Sequence, residues 1–174
     1  AGETSAFAVL VDRHKFNVFN ITVKILGNKE EAEELAQDVF LKAFEKLSTF
    51  KGEAKFSTWL FRIAYNMSIS MQRKRKLKQL DIESYYSETY TEDELMNKIN
   101  SESIEVREKA LKTAIRKLNG EQQLLLQLYY DKGLTISEVA KIIGLTDSNV
   151  KVKIHRTRQQ LFRLMQPRVL QKIS

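Results

Sequence analysis

Residues Thr135–Arg158 read TISEVAKIIGLTDSNVKVKIHRTR, and this stretch decides the fold. Gly144 follows Ala140 by four residues and Val150 follows Gly144 by six, the spacing two short helices need to cross closely. The small Ala140 lets them approach, Gly144 can take the left-handed conformation that ends the first, and Val150 plugs the second back onto it. Thr135, Ile136, Ser137 and Glu138 form a capping box, and Thr146 is the N-cap expected for the second helix. Ile136, Val139, Ile143, Leu145, Val150, Ile154 and Leu161 are expected to share a core. The second helix then presents Ser148, Asn149, Lys151, Val152, Lys153, His155, Arg156 and Arg158. Donors near its N-terminal end and cations along its length suit the major groove of duplex DNA. The plain alternative is a helical corner inside a core.

Charge is distributed to match. The net +7 divides into +5 over residues 1–80, −7 over 81–108 and +9 over 109–174. Two basic modules therefore flank an acidic spacer, and basic modules are suited to nucleic acid. The spacer's charge also fits a solvated tether. Both modules read as all-helical, with one proline, Pro167, and glycines mostly where helices should stop: Gly27, Gly52, Gly120, Gly133 and Gly144. Helices are expected over about 5–26 (broken once, if at all), from an Asn28 cap to Leu47, and from a Ser57 cap through Lys76. In the second module they are expected to Leu118, over 121–130, and through the helix-turn-helix. The apolar stripes are Phe7, Leu10, Val11, Val18 and Ile25; then Ala32, Leu35, Ala36, Val39, Phe40, Ala43 and Leu47; then Leu60, Ile63, Ala64, Met67 and Met71.

Other classes close off. With no cysteine, disulfides, thiolate metal sites and cysteine nucleophiles are excluded. His14 and His155 lack a second ligand at metal spacing. No phosphate-cradling glycine loop, nucleophile–base pair or metal set is present, so neither catalysis nor a cofactor is expected. No apolar run approaches membrane-spanning length, and AGETSAF lacks signal-peptide order, so a cytoplasmic protein is expected.

Two further surfaces stand out in the first module. On the second helix Glu34, Asp38, Leu41 and Glu45 form one outward row, flanked by Gln37 and Lys42. An apolar residue ringed by charges resembles the centre of a helix-on-helix docking patch. Between the second and third helices, Phe50, Phe56 and Trp59 alternate with Lys51 and Lys55 around Gly52. Aromatic faces interleaved with cations can stack bases and neutralise phosphates of a single strand, although a small core is the commoner fate of such aromatics. Arg62, Asn66, Ser70 and Arg73 continue a polar face along the third helix.

AEELAQDVFLKAFEKL, then FKGEAKFSTWLFRIAYN, then a basic run, an acidic linker, and LTISEVAKIIGL with NVKVKIHRTR together resemble a bacterial RNA polymerase sigma factor of the extracytoplasmic-function group. The resemblance covers about residues 7–165. It implies two helical domains, 1–80 and 109–174, joined by an acidic linker over 81–108. It further implies that Glu34, Gln37, Asp38, Leu41, Lys42 and Glu45 bind core polymerase. Phe50, Lys51, Lys55, Phe56, Trp59, Arg62, Asn66, Ser70 and Arg73 would open and read the minus-ten element. The recognition-helix residues would read the minus-thirty-five element as duplex. An anti-sigma factor is implied as a partner, with a monomer expected when free. Ser70 replaces a frequent acidic residue and Val152 a small polar one, which bears on the promoter sequence read. An autonomous helix-turn-helix regulator with an N-terminal ligand or dimerisation domain is the alternative, and a nucleic-acid enzyme with such an accessory domain is a more distant one.

Overall fold

A computed structural model describes residues 2–76 and 103–170, with side chains described for 5–75 and 103–165. The acidic spacer from Asp81 to Glu102 lies outside them. Among the described residues there are seven α-helices and no strand. They are α1 (Gly2–Leu26), α2 (Lys29–Glu45), α3 (Phe56–Lys76), α4 (Ile104–Lys117), α5 (Gly120–Leu126), α6 (Ile136–Ile143) and α7 (Asp147–Leu170). A 3-10 turn at Leu47–Thr49 follows α2, and a π turn at Gln127–Asp131 follows α5.

The first three helices pack on one another around Val18, Ile21, Ile25, Val39, Leu60 and Ala64. Gly27 ends α1, and the Asn28 side chain accepts from the Glu31 N–H to open α2. Thr22 Oγ1 donates to the Ala32 carbonyl at 2.9 Å, tying the two helices where they meet. At its other end α3 satisfies the last carbonyls of α1: Gln72 Nε2 donates to Ile25 O and Arg75 Nη1 to Leu26 O, with Glu31 completing an ion pair at 2.8 Å. A cation there also complements the helix dipole. The break allowed for in α1 is absent. Ser57 is not a cap either, because α3 already begins at Phe56 and Trp59 N–H donates to Lys55 O.

In the second half, Ser103 caps α4, so residues 103–108 belong to a helix and not to the spacer. Asn119 and Gln122 form a capping box at α5. Gly120 therefore opens a helix; it does not stop one. The helix-turn-helix is as the spacing predicts: Thr135 and Glu138 cap α6 reciprocally, Gly144 ends it at φ 71°, and Thr146 caps α7. Val150, Ile154, Thr157 and Leu161, at i, i+4, i+7 and i+11, are the buried stripe of α7. Leu161 packs with α4 residues Ala110 and Ala114, in a cluster separate from Val150 and Ile154.

The two halves also touch. One buried cluster runs from Leu60, Phe61 and Ala64 of α3 to Leu124 of α5 and Val139, Ala140 and Ile142 of α6. Ile142, not Ile143, joins Val139 as a fully buried residue of α6. Burying such a side chain is worth roughly 1.5–3 kcal/mol. The Lys55–Glu138 ion pair across the same contact, at 2.9 Å with Lys55 72% exposed, is worth about 0–1 kcal/mol. Apolar packing therefore carries the contact.

Candidate polymerase and nucleic-acid interfaces

The recognition helix presents its polar side to solvent. Ser148, Asn149, Lys151, Val152, Lys153, His155 and Arg156 are exposed and Arg158 is half-buried. Because the buried stripe occupies a single arc, the remaining side chains fan over the rest of α7. A helix of about 10–12 Å diameter fits a major groove about 12 Å wide. Lys153 is drawn aside, with its Nζ 3.6 Å from Glu121 on α5. Gln159 Nε2 lies 3.0 Å from His155 Nε2, which turns that ring along the helix.

In the first half, Phe50, Phe56 and Trp59 form a triangle with ring centroids 5.3–5.7 Å apart. Each is half-buried and packs against the other two. Phe50 and Trp59 line a cavity of about 280 Å³ together with Lys51, Thr58 and Arg62. Phe56 turns to His14 instead, at 5.8 Å, and is the rear support. Asn66, Ser70 and Arg73 continue outward on the exposed side of α3. Glu53 also lines it, so the cavity carries one acid beside its aromatic faces and the cations Lys51, Arg62 and Lys141.

His14 is a buttress. It sits between Phe56 and Phe61, and its buried Nδ1 has no hydrogen-bond partner. Burial, and secondarily Arg13, hold its pKa below the ordinary 6.5. Burial raises the Tyr65 pKa to about 12, helped by the charge of Glu121 from the other half and opposed by Arg73. The Thr135 backbone N–H, followed by Lys55, keeps Glu138 below the usual carboxylate range.

On α2, Glu34, Gln37, Asp38, Leu41, Lys42 and Glu45 are all exposed, and Leu41 is 65% open. Lys42 Nζ donates to Glu45 Oε2 at 2.7 Å. Sequence reasoning missed Phe44, three residues after Leu41, whose ring is 44% exposed and meets Phe7 edge-on at 5.1 Å. Its i+3 spacing from Leu41 was the available signal. The patch thus has two apolar members within a charged rim.

Residues 10–78 match Sigma-70 region 2, and residues 108–161 match Sigma-70, region 4. The chain is 33% identical over 167 residues to the ECF RNA polymerase sigma factor SigW of Bacillus subtilis, covering 92% of this chain and 89% of that one. It is 27% identical to the RNA polymerase sigma-H factor of Pseudomonas aeruginosa, with 95% and 89% covered. Its fold resembles the sigma factor RpoE in complex with the anti-sigma factor NepR from Bartonella quintana (TM-score 0.66, 22% identity, 92% and 96% covered). It also resembles CnrH in complex with the cytosolic domain of CnrY (TM-score 0.61, 22% identity, 93% and 88% covered). Two regions of one family, in order and on one chain, do not favour an autonomous regulator. The chain belongs to the extracytoplasmic-function RNA polymerase sigma factors, the initiation factors that direct polymerase to promoters.

Proposed function

We propose that each reading surface works through the residues described above. Residues 1–80 form the polymerase-binding and melting unit, 81–102 the tether, and 103–174 the upstream reader. The observation that carries this reading is the presence on one chain of an open basic recognition helix and an aromatic, cation-lined cavity. On α7, Ser148, Asn149 and Val152 lie nearest base edges, while Lys151, Arg156 and Arg158 meet phosphates or guanine edges. In the cavity Trp59 and Phe50 stack an unpaired base, with Lys51, Lys55, Arg62 and Arg73 along its strand. Leu41 and Phe44 anchor core polymerase, and Asp38 pairs with a basic residue there.

The factor contributes binding energy and performs no bond-making step of its own. It works in the cytoplasm, where polymerase and promoters are. It is monomeric when free, and an anti-sigma protein restrains it, as the complexes of its structural relatives support. No helix among the described residues is long and apolar enough to cross a membrane. Purified core polymerase, genomic DNA and the chain should together yield RNA whose 5′ ends cluster at a few defined sites. RNA ends unchanged by adding the chain would overturn the reading.

A further inference from the structure

Helix α5 is indexed against the recognition helix by two neighbouring side chains of its first turn. Gln122 is held at both ends: its Oε1 accepts from the Asn119 backbone N–H at 3.1 Å, and its Nε2 donates to Gln160 Oε1 at 2.6 Å. Because the capping box occupies the oxygen, the nitrogen is the end that faces α7. Beside it, Glu121 Oε2 lies 3.6 Å from Lys153 Nζ. Lys153 and Gln160 are seven residues apart, two turns along one flank of the helix. Helix α5 therefore grips α7 along one edge, through a neutral contact and an ionic one.

That edge matters for a helix lying in a groove. At about 100° per residue, with Val150, Ile154, Thr157 and Leu161 inward, Lys151 and Arg158 fall on one flank of α7 and Lys153 and Gln160 on the other. The two walls of a major groove are the two sugar–phosphate strands. Each flank therefore faces phosphates, which position the helix without reading sequence. On the second flank α5 sets a carboxylate against Lys153. Glu121 also stands in the first turn of α5, where an acid complements the helix dipole, and its charge reaches Tyr65 of α3. Those two roles need no lysine; the third does.

The side chains of Lys153 and Glu121 are 50% and 38% exposed, so solvent screens the pair and it shifts an equilibrium by no more than about fivefold. A single lysine–phosphate contact, which releases about 0.9 of a counterion, is of similar size near about 0.1 M salt. The two demands on Lys153 are therefore close to balanced, and the repulsion of Glu121 toward the same phosphates tips them. We propose that Glu121 withholds Lys153 from the duplex, so that the recognition helix makes one fewer phosphate contact than its cations would allow. Glu121 is thereby a positioning residue for upstream recognition: by weakening sequence-blind contact it leaves a larger share of the binding to base edges. This rests on the reading of α7 as the duplex reader.

The test is the salt dependence of promoter binding by the full chain with core polymerase, on a linear duplex carrying a start site mapped for the parent. The quantity measured is the slope of log affinity on log salt concentration, which a merely structural role would not move. Glu121→Gln keeps the size of the side chain. It should steepen that slope by about 0.9 and tighten binding about fivefold at about 0.1 M salt. Lys153→Gln alone should leave slope and affinity near those of the parent. The double variant should match Lys153→Gln, because an effect through the α5 dipole or Tyr65 would persist without the lysine. A slope unchanged by Glu121→Gln would overturn the proposal. So would a slope about 0.9 shallower in Lys153→Gln, since Lys153 would then reach the DNA in the parent. An effect of Glu121→Gln that survives in the double variant would overturn it as well. If Lys151→Ala with Arg156→Ala left the slope unchanged, the reading of α7 itself would fall, a result distinct from the other three.

Discussion

The two surfaces proposed to read DNA, helix α7 and the aromatic cavity, draw on the same kinds of residue but are presented differently. On α7 Lys151 and Arg156 are exposed on one side of a helix whose other side carries the buried stripe. Around the cavity the aromatics are half-buried, braced from behind by His14, and bordered by Lys141 from the other half of the molecule. The difference follows from the chemistry of the two targets. Duplex DNA offers its base edges and phosphates before the protein arrives, so an open face is enough. A base in a duplex must first be unstacked, at a cost of a few kcal/mol, and only a shaped aromatic receptacle offsets that.

The sharpest way to break this contrast is to remove the cations of the open face. Lys151→Ala with Arg156→Ala should cost about 1–3 kcal/mol for each base-reading contact and reduce the salt dependence for each phosphate contact. Footprints on promoter complexes would measure it, and unchanged upstream protection would remove α7 from recognition. Trp59→Ala should come next, with about 1–3 kcal/mol of stacking lost per base. Since Trp59 also packs within the first half, its fold is checked by thermal unfolding. A pre-melted promoter should restore much of its transcription; no rescue in a folded variant would point to a different defect.

The smallest effect is a pH dependence confined to the braced cavity. His14 has a lowered pKa, so the fold favours its neutral form. The stabilisation is present above the ordinary value of 6.5 and is lost as pH falls through and below it. Melting temperature should therefore decline between about pH 7 and pH 5, and His14→Phe should flatten that decline. An identical decline in the variant would assign the titration to other groups.

What could be read without coordinates follows the range of the interactions. The α6–α7 turn was legible because each signal is local: a cap and its partner three residues away, a glycine at the one left-handed position, an apolar residue at fixed spacing. The Leu41 row was legible for the same reason. Ser57 misled because serine is a common cap, while the Lys55 carbonyl had already started the helix. Phe56 could be placed with the aromatics by sequence but not turned away from the cavity, since that depends on His14 in another helix. Ile142 was least legible. Its role depends on α3, far away in the chain, and periodicity within a single helix carries no signal of a second partner. The exposure of the two proposed surfaces could thus be read from sequence, whereas the contact between the halves could not.

The account's central claim, that this chain works by docking on core polymerase, is tested most directly by the affinity of purified core polymerase for the parent and for Leu41→Glu. Leu41 is 65% exposed on α2, so the substitution should leave melting temperature nearly unchanged while placing a like charge among Glu34, Asp38 and Glu45. Loss of an apolar anchor costs about 2 kcal/mol or more, around thirtyfold in affinity, and the added repulsion should bring binding below detection. A folded Leu41→Glu protein that binds core polymerase as tightly as the parent would contradict the claim.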